Sequence, residues 1–316
     1  MRIALDVMGA DYSPQEQILA AVEWQKTHEE DQILLVGDAE QIQAELAQHE
    51  IYENRLQIVP ASQVITMNEH PAAALRAKRD ASIVKATGLV KKGLADALVS
   101  CGSTGAQMAA AVFGLGRLPS IDRPPLLTEL PGENPHALVD VGANVDCSSR
   151  QLLQFGLLGH AYMKAVKGIE NPRVALLSNG AEENKGSEVV QEAHQLMKEQ
   201  TIFNFVGNVE GRDLVSPDCP EVVVCDGFSG NLLLKALEGA FMFAGEQCYK
   251  QFGKLPDSFK AMDANHLGGV PLLGVKGISV VCHGNSKQAA VVQAIQVAEN
   301  CVQQKLVELQ EQILQK

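Results

Sequence analysis

The sequence predicts an α/β fold, in which a Rossmann-like, mostly parallel sheet carries helices on both faces. Short apolar runs alternate with longer helix-forming stretches from one end of the chain to the other. Only 4% of the residues are aromatic, so the core must consist of Ala, Val, Leu and Ile, as in parallel sheets that helices cover. With 316 residues, 46% of them hydrophobic, the chain can bury a large core, and we expect one α/β domain over residues 1–316.

Each element follows from a local apolar pattern and its flanking turn residues. Strands are predicted at residues 2–6, 33–36, 56–59, 97–101, 126–130, 137–141, 173–177, 204–206, 222–225 and 278–281. Helices are predicted from about residue 14, over 38–46, 81–92, 107–113, 150–166, 187–198 and 232–252, and from about residue 286 toward residue 316. Residues 66–80 are mixed, and residues 241–267 are expected to form a helical excursion from the sheet.

Charge and cysteine usage exclude several kinds of protein. The formal net charge of −12 argues against nucleic acid as a partner. The 7 cysteines form no C-x-x-C pair, which indicates buried thiols in a reducing cytosol and neither a disulfide nor a zinc framework. The N-terminus reaches acidic and turn residues too early for a signal peptide. The most apolar window, residues 97–118, contains polar turn residues and fits a strand, turn and helix better than a membrane span.

Residues 221–238 form the stretch around which the chain is organised. Its apolar beginning suits a buried strand, and a Gly-rich turn and a helix follow. Asn231 is predicted to be the N-cap of that helix. A strand that leads through such a turn into a helix leaves free backbone N–H groups, which favour an anion. The stretch therefore indicates either an anion-handling active site or an ordinary βα turn with a capping Asn.

Six loops of similar composition follow predicted strands. They are rich in Gly, Ser, Thr and Asn, and they comprise residues 6–11, 102–105, 142–146, 178–186, 226–231 and 283–286. Ligands of parallel α/β folds bind beyond the carboxyl ends of the strands. Six such loops at one sheet edge would offer many N–H donors, which predicts a pocket for a phosphate-sized anion.

Several of these loops carry side chains with a chemical use. Lys185 stands next to Gly186 at a predicted helix start, where it can hold phosphate, although a solvated lysine is the alternative. Asn144 is either a ligand or a turn residue, and Asp146 is either catalytic or the N-cap of the next helix. His283 follows an apolar strand, so it can act as an acid or base or simply cap or pack.

Other chemistries lack their sequence signature. Cys101 and Cys147 border two of the loops, but no Cys–His–Asn spacing can be assigned, so buried thiols are favoured over a nucleophile. No G-x-G-x-x-G follows a strand, and no G-x-x-x-x-G-K-[ST] occurs, which disfavours nicotinamide dehydrogenases and P-loop NTPases. No His, Cys and carboxylate cluster has metal-ligand spacing. We therefore expect neither a metal nor an organic cofactor.

Eight segments, in order from residue 4 to residue 286, resemble a known family. They are ALDVMGADYSP, LVKKGLADALVSCGSTGA, RPPL, LVDVGANVDC, LLSNGAEENKGSE, NFVGNVEGRD, VVVCDGFSGNLLLKALEG and GGVPLLG with HGNS. Together they resemble the bacterial phosphate acyltransferases of phospholipid synthesis, the acyl-[acyl-carrier-protein]:phosphate acyltransferases, over nearly the whole chain. Two positions depart from the family pattern: Ala10 replaces a second Gly, and Ser103 replaces an Asn.

This resemblance implies a fold related to the phosphotransacetylases and the isocitrate/isopropylmalate dehydrogenases. It implies a cytoplasmic homodimer, peripherally associated with the inner face of the membrane, that moves a long-chain acyl group from acyl carrier protein to inorganic phosphate. The acyl phosphate would pass to a membrane-embedded glycerol-3-phosphate acyltransferase. The resemblance also places Lys185 and Asn231 in the catalytic pocket, in agreement with the residue-based analysis.

The predicted site has a catalytic and a binding part. Lys185 would hold phosphate, Asn231 would stabilise the oxyanion, and His283 would protonate the leaving thiolate. Substrate and phosphate binding are assigned to Asp6, Gly102, Ser103, Thr104, Gly105, Asn144, Asp146, Asn179, Gly186, Gly227, Ser229 and Gly230.

Two other functions compete with this one. The first is a non-catalytic membrane scaffold that recruits lipid enzymes. The second, a decarboxylating dehydrogenase on the same fold, would need a metal-binding Asp cluster and a nucleotide loop, and neither is found. A lipid-touching segment is indicated by apolar residues near helical spacing with lysines beside them, although a dimer interface is the alternative; they are Phe252, Leu255, Phe259 and Met262, with Lys254 and Lys260.

Overall fold

Two sheets form in the computed structural model, which describes residues 1–52, 54–256, 259 and 268–315. Its strands are β1 Arg2–Asp6, β2 Gln32–Gly37, β3 Leu56–Pro60, β4 Ala97–Ser100, β5 Leu127–Leu130, β6 His136–Val139, β7 Arg173–Leu177, β8 Asn204–Val209, β9 Val222–Val224, β10 Val270–Pro271 and β11 Ile278–Val281. Its α-helices are α1 Gln15–Gln25, α2 Ala39–Leu46, α3 Pro71–Ala77, α4 Ser82–Lys91, α5 Thr104–Ala110, α6 Ser149–Lys167, α7 Glu188–Glu199, α8 Gly227–Phe252, α9 Gln288–Gln303 and α10 Leu306–Leu314. A π-helical turn, Ala111–Leu115, continues α5, and Gly211–Val215 is a short 3-10 helix.

The first compact unit comprises residues 1–117 and 268–303. Its described strands form a six-stranded sheet in the order β10-β11-β4-β1-β2-β3, in which β10 is antiparallel to β11 and the other pairs are parallel. Because successive residues of a strand point to opposite faces, Ala4 and Leu98 share one face and pack with Ile83 and Ala106 of α4 and α5. The carboxyl ends of β1, β4 and β11 lie side by side in this sheet.

The second compact unit comprises residues 118–267 and 304–316, and its described strands form a five-stranded sheet. The order is β5-β6-β9-β7-β8, with β5 antiparallel to β6 and the other pairs parallel. The central strand β9 consists of three fully buried valines, as expected for a strand covered on both faces. Helix α6 packs closely on it, because Gly159 leaves room for Val222: a Cβ at Gly159 would lie 2.5 Å from Val222 Cγ1.

The predicted fold class is confirmed, since mostly parallel sheets carry helices in both units. The expectation of one sheet edge for all six loops is wrong, because the strands are divided between two sheets. We expected one domain over residues 1–316, whereas the chain leaves the first unit after residue 117 and returns to it at residue 268. The single helix predicted from residue 286 toward residue 316 is two helices, and Lys305 between them has a left-handed φ of 51°.

The excursion predicted over residues 241–267 begins as the second half of α8, which ends at Phe252. Lys260 and Met262 of the predicted lipid-touching segment lie outside the described residues. Among the helices that the structure describes, none is both long and apolar enough to cross a membrane.

Candidate active site

The loop after β6 is built around a buried carboxylate, Asp140, which the sequence analysis did not single out. Its Oδ1 accepts hydrogen bonds from the backbone N–H groups of Leu126 at 3.0 Å, Gly142 at 3.2 Å and Ala143 at 3.0 Å. Its Oδ2 accepts from the backbone N and from Nδ2 of Asn144, at 2.7 and 2.8 Å. Burial raises the pKa of Asp140, and these hydrogen bonds act in the opposite direction.

Asn144 and Asp146, both predicted from this loop, lie in different surroundings. Asn144 is buried, and its Nδ2 also donates to Pro124 O at 3.0 Å, so the side chain is engaged within the protein. Asp146 is exposed. The alternative that Asp146 caps the next helix is wrong, because the N-cap of α6 is Ser148, whose Oγ accepts from Gln151 N at 3.3 Å.

The N-cap of α8 is Asp226, and the prediction that Asn231 caps this helix is wrong. Asp226 Oδ1 accepts from the backbone N of Ser229 at 2.8 Å, and Ser229 Oγ donates to Asp226 Oδ2 at 2.8 Å. Asp is a preferred N-cap because its carboxylate pairs with free N–H groups and with the positive end of the helix dipole. That carboxylate occupies the position at which the sequence had suggested an anionic ligand.

Gly227 and Gly230 are the points at which α8 touches the loop after β6. Gly227 N donates to Asn144 O at 2.7 Å, and a Cβ at Gly227 would also lie 2.7 Å from that oxygen. Gly230 N donates to Asp226 O at 2.9 Å, and a Cβ at Gly230 would lie 2.0 Å from Asp140 O. Both positions therefore need glycine for close backbone approach. Their N–H groups, predicted to be free for a ligand, are engaged within the protein.

Asn231 is an exposed residue on α8, one helical turn after Gly227. Gly142, which has a φ of 134°, lies beside it: a Cβ at Gly142 would be 3.7 Å from both Cβ and Cγ of Asn231. The absence of a side chain at Gly142 thus leaves the carboxamide of Asn231 accessible. A neutral amide in this position can donate hydrogen bonds to a developing negative charge.

Lys185 lies in the loop between β7 and α7. Its backbone N donates to Glu182 O at 3.0 Å, and its stem passes Gly180, where a Cβ would lie 2.8 Å from Lys185 Cγ. Its side chain is exposed and forms no ion pair with any residue that the structure describes. By contrast, Lys198 on α7 is 2.7 Å from the carboxylate of Glu183. The charge of Lys185 is therefore available to an anionic ligand.

Asn179 and Gly186 shape the loop that presents Lys185. Gly186 N donates to Asn179 Oδ1 at 2.8 Å, and Gly186 has a φ of 95°, which favours glycine. From β8, Asn208 Nδ2 donates to Glu182 O at 2.9 Å and ties the loop to the sheet. Asn179 and Gly186, which the sequence assigned to phosphate binding, thus lie in the same loop as Lys185. Asn179 Oδ1 and Gly186 N bond to each other and close this loop.

Lys185 and Asn231 follow neighbouring strands of one sheet. β7 and β9 are parallel partners in which Leu176 lies opposite Val224. Their carboxyl ends therefore meet at the same edge of the five-stranded sheet, and the loops that carry Lys185 and Asn231 both start there. This edge brings a cation and a neutral amide to one end of the second unit.

Asp6, at the end of β1 in the six-stranded sheet, is only 2% exposed. Ser100 Oγ donates to its Oδ2 at 2.8 Å, and the backbone N of Met8 donates to its Oδ1 at 3.2 Å. Burial raises the pKa of Asp6 to about 6, although hydrogen bonds from Ser82, Ser100 and Met8 lower it. The carboxyl group therefore links the carboxyl ends of β1 and β4.

The loop after β4 uses its polar groups to begin α5. Gly102 N donates to Ser100 Oγ at 3.1 Å. Ser103 is the N-cap of α5, and its Oγ accepts from Ala106 N at 3.4 Å. Ser103 is nearly buried, so its side chain has a clear structural use at the position that departs from the family pattern.

Thr104 and Gly105, also assigned to binding, form the start of α5. Thr104 is half-buried as the first helical residue. A Cβ at Gly105 would lie 2.8 Å from Pro71 Cγ, so Gly105 permits close packing of α5 against α3.

His283 lies on the loop after β11 and is exposed. Its carbonyl oxygen accepts from the backbone N of Ser286 at 3.0 Å. In the same loop, Gly284 O accepts from Asp11 N at 2.9 Å, which joins this loop to the one that follows β1. The loops after β1, β4 and β11 are thus neighbours at one edge of the six-stranded sheet.

The two cysteines that border the predicted loops are poor nucleophiles. Cys147 Sγ donates to Asn144 O at 3.4 Å, and burial, followed by the charge of Asp140, raises the pKa of Cys147 to about 12. Cys101 is fully buried. Because the thiolate is the reactive form of cysteine, the raised pKa makes Cys147 a poor nucleophile at neutral pH, and burial keeps Cys101 from a soluble substrate.

The predicted residues are divided between the two sheets. The six-stranded sheet carries Asp6, Gly102, Ser103, Thr104, Gly105 and His283, and the five-stranded sheet carries Asn144, Asp146, Asn179, Lys185, Gly186, Gly227, Ser229, Gly230 and Asn231. Sequence reasoning missed the two structural carboxylates, Asp140 and Asp226. Asp226 follows a buried apolar run directly and precedes Gly227, a pattern typical of N-caps that could have revealed it. Asp140 is followed by Val141 and falls inside the strand predicted over residues 137–141, so no such signal marks it.

Mostly parallel sheets that carry helices, with polar loops at the carboxyl ends of their strands, define a Rossmann-like α/β protein. The chain is similar in structure to the phosphotransacetylase EutD from Staphylococcus aureus, with a TM-score of 0.64 and 17% identity, covering 96% of this chain and 94% of that one. At this level of identity the likeness shows the fold, and it confirms the predicted relation to phosphotransacetylases.

The family follows from full-length sequence matches. The phosphate acyltransferase of Syntrophomonas wolfei is 50% identical over 318 residues, which cover 100% of this chain and 99% of that relative. The phosphate acyltransferase of Pelotomaculum thermopropionicum is 49% identical, over 98% of this chain and 93% of that relative. The model of the family described as "Fatty acid synthesis protein" matches residues 1–309, and the chain belongs to this family. The resemblance found in the sequence is thereby confirmed.

Proposed function

We propose that this acyltransferase moves an acyl group from a thioester to inorganic phosphate and releases an acyl phosphate. The observation that carries the proposal is the pairing of two exposed groups after neighbouring parallel strands: the uncommitted ammonium of Lys185 and the carboxamide of Asn231. A dianionic nucleophile needs a cation, and the tetrahedral intermediate of acyl transfer needs a hydrogen-bond donor. The names of the full-length relatives support the same reaction.

The reaction is a direct transfer from the thioester to phosphate and needs no covalent enzyme intermediate. A phosphate oxygen attacks the thioester carbonyl carbon, a C–O bond forms, and the carbonyl electrons become an oxyanion. The oxyanion collapses, the C–S bond breaks, and the thiolate leaves with its electron pair. Lys185 holds the phosphate for attack, Asn231 Nδ2 donates to the oxyanion, and the loops of the five-stranded sheet fix both groups in place.

Direct attack by phosphate is favoured over a cysteine relay. Burial raises the pKa of Cys147 to about 12, and a hydrogen bond with Cys101, followed by burial, raises the pKa of Cys282 well above its usual range. We expect no acyl adduct on Cys101 or Cys147 when the enzyme is mixed with acyl thioester and examined by intact mass spectrometry. A stable adduct, or complete loss of activity in folded Cys147→Ala, would contradict direct transfer.

The finer features of the proposal come from the family resemblance. The thioester is a long-chain acyl group on acyl carrier protein, and the acyl phosphate passes to a membrane-bound glycerol-3-phosphate acyltransferase. The enzyme works as a cytoplasmic homodimer that associates with the inner membrane surface. His283 is the candidate proton donor to the leaving thiolate on the basis of its own position after an apolar strand, not of the resemblance; because a thiolate leaves readily, we expect its loss to be far milder than the loss of Lys185 or Asn231.

One assay tests this function. Palmitoyl-acyl carrier protein is incubated with the enzyme, and free carrier thiol is measured with and without inorganic phosphate. We expect thiol release that saturates with phosphate concentration and yields palmitoyl phosphate. Thiol release that is independent of phosphate would indicate a thioesterase, and no release at all would favour a non-catalytic scaffold.

A further inference from the structure

Asp140 is a fully buried carboxylate, and four of the five hydrogen bonds that it accepts come from the tight turn that follows it. Five N–H donors from four residues converge on its two oxygens, and three of these residues lie within the next four positions of the chain. Asp140 is 0% exposed, so it makes no direct contact with a soluble ligand. A carboxylate with this many donors fixes the path of the turn, because removing it would leave several buried N–H groups unpaired.

The turn held by Asp140 is in contact with the start of α8. The backbone oxygen of Asp140 lies where a Cβ at Gly230 would be, and Asn144 O accepts from Gly227 N at 2.7 Å. Asp140 N also donates to Cys225 O at 3.1 Å, just before the helix. The turn and the first residues of α8 are therefore packed backbone against backbone at Gly227 and Gly230, and Cys225 Sγ, which donates to Asp140 O at 3.4 Å, fills the space beside this contact.

The apex of the same turn lies against the proposed oxyanion donor. Gly142 N donates to Asp140 Oδ1. On its other side Gly142 lies next to Asn231: a Cβ added at Gly142 would be 3.7 Å from both Cβ and Cγ of Asn231. A displacement of the turn would therefore move backbone atoms toward or away from the Asn231 carboxamide.

We propose that Asp140 is a positioning residue for acyl transfer: it fixes the turn of residues 140–144, and the turn sets the position of the Asn231 carboxamide. The inference rests on the proposed function, because it gives Asn231 the role of oxyanion donor. Oxyanion stabilisation depends on donors held within a few tenths of an ångström of their productive position. A turn that fixes the Asn231 carboxamide therefore affects the rate although Asp140 itself does not contact the substrate.

The variant that tests this role is Asp140→Asn. It keeps the shape of the side chain and one acceptor oxygen, but it places an NH2 group against the N–H donors of Asn144. Donor then faces donor on the Oδ2 side of the turn. As a matched control, Asp213→Asn alters another carboxylate that accepts a backbone N–H, from Glu210 at 2.8 Å in the short 3-10 helix of the same unit.

A double-mutant cycle separates positioning from general damage. We expect Asp140→Asn to lower kcat by about tenfold with the phosphate KM little changed, and to have an effect of less than about twofold when Asn231 is already alanine, since coupled neighbours are non-additive. Asp213→Asn should leave kcat unchanged in both backgrounds. The inference is overturned if Asp140→Asn lowers kcat by the same factor in both backgrounds, or if the folded variant keeps the wild-type kcat.

A structural measurement keeps the test independent of activity. The crystal structure of Asp140→Asn, or of Asn144→Ala if the first variant does not fold, is compared with that of the wild type. We expect the turn to be displaced and the Gly142–Asn231 contact to change; an unchanged contact overturns the inference. If wild-type enzyme releases no thiol in the presence of phosphate, the proposed function fails, while this comparison still decides whether Asp140 sets the position of Asn231.

Discussion

Lys185 and Asn231 differ in charge, and at the scale of single residues this difference predicts different kinetic defects. Phosphate is charged throughout the reaction, so Lys185→Ala should raise the phosphate KM strongly, and kcat should also fall if the lysine positions the attack. The oxyanion exists only near the transition state, so Asn231→Ala should lower kcat by about 10²–10³-fold with little change in KM. Steady-state kinetics of carrier-thiol release measure both. Lys198→Ala is the matched control, because that lysine is paired with Glu183.

The stability of these variants follows from the corrected cap. Because Asp226 and not Asn231 is the N-cap of α8, Asn231→Ala removes no cap and should unfold at or slightly above the wild-type urea midpoint, since alanine is the better helix former. Asp226→Ala should lose about 1 kcal/mol, the usual effect of removing an N-cap. If folded Asn231→Ala kept the wild-type kcat, Asn231 would have no catalytic role.

Asp6 makes stability depend on pH. Burial raises its pKa to about 6 from the ordinary value of 3.8, so between these pH values the folded state keeps a proton that the unfolded state has released. Stability due to this group is therefore present below about pH 4 and is lost as the pH rises through 6. A shift of this size corresponds to at most about 3 kcal/mol.

The measurement is urea unfolding of wild type and Asp6→Asn between pH 4 and pH 7. Asparagine does not titrate, so the difference in unfolding free energy should change in favour of Asp6→Asn as the pH rises. A difference that stays constant across this range would show that Asp6 has the same pKa in both states.

The residues that could be predicted from the sequence are those with a distinctive charge or position. Lys185 was identified because it is the only cation in a polar loop after an apolar run, and the structure leaves it exposed. Asp140 could not be identified, because it falls inside a predicted strand and its importance depends on partners that fold onto it, whereas the Asp226-Gly227 pair after an apolar run could have identified the N-cap. Asn231 was placed at the right helix but in the wrong position, since Gly227 and Gly230 were interpreted as helix breakers and they are helical.

At the scale of elements, Gly230 and Gly239 both lie in helix α8, but their replacement by alanine should change stability in opposite directions. A Cβ at Gly230 would lie 2.0 Å from Asp140 O, whereas a Cβ at Gly239 would meet nothing within 4 Å. Gly230→Ala should therefore destabilise the protein by about 2–3 kcal/mol or more, because backbone must move to make room. Gly239→Ala should stabilise it by about 0.5–1 kcal/mol through helix propensity. Urea unfolding of both variants tests the close contact, and equal effects would contradict it.

At this scale the sequence located most elements but not their pairing. Apolar runs identify β1, β4, β7, β9 and β11 because burial leaves a local trace in composition. The local sequence does not predict that β11 pairs with β4 or that β9 lies between β6 and β7, because strand order depends on contacts between distant segments. The predicted site was therefore expected at one edge, and the structure divides its residues between two sheets.

For the whole molecule, the proposed membrane association concerns the exposed apolar face of α8. Met242 and Phe252 are 77% and 63% exposed, and both lie on its second half. Leu255 and Phe259 lie 3.5 and 3.3 Å from a Cβ placed at Gly245, so they pack toward α8, and Leu255 is 45% exposed, less than Met242 or Phe252. Met242 and Phe252 are thus the better candidates for contact with a bilayer.

The double variant Met242→Glu/Phe252→Glu should lose flotation with phospholipid vesicles while retaining carrier-thiol release in solution. Phe113→Glu is the control, because Phe113 is 69% exposed in the first unit. Sedimentation of the same variants distinguishes the dimer alternative: a change from dimer to monomer with unchanged flotation would assign this face to subunit contact.

During translation the six-stranded sheet can be completed only late, because two of its strands, β10 and β11, are synthesised long after the other four. β4 ends at Ser100, but its partner β11 begins at Ile278, so about 180 residues, or roughly 10–40 s of synthesis at about 5–20 residues per second, separate them. Throughout that interval the nascent chain holds an unpaired edge of β4, the kind of edge that recruits other strands. A stalled nascent chain that ends near residue 260 should therefore be protease-sensitive over residues 1–117. Release of the finished polypeptide should make the same region resistant.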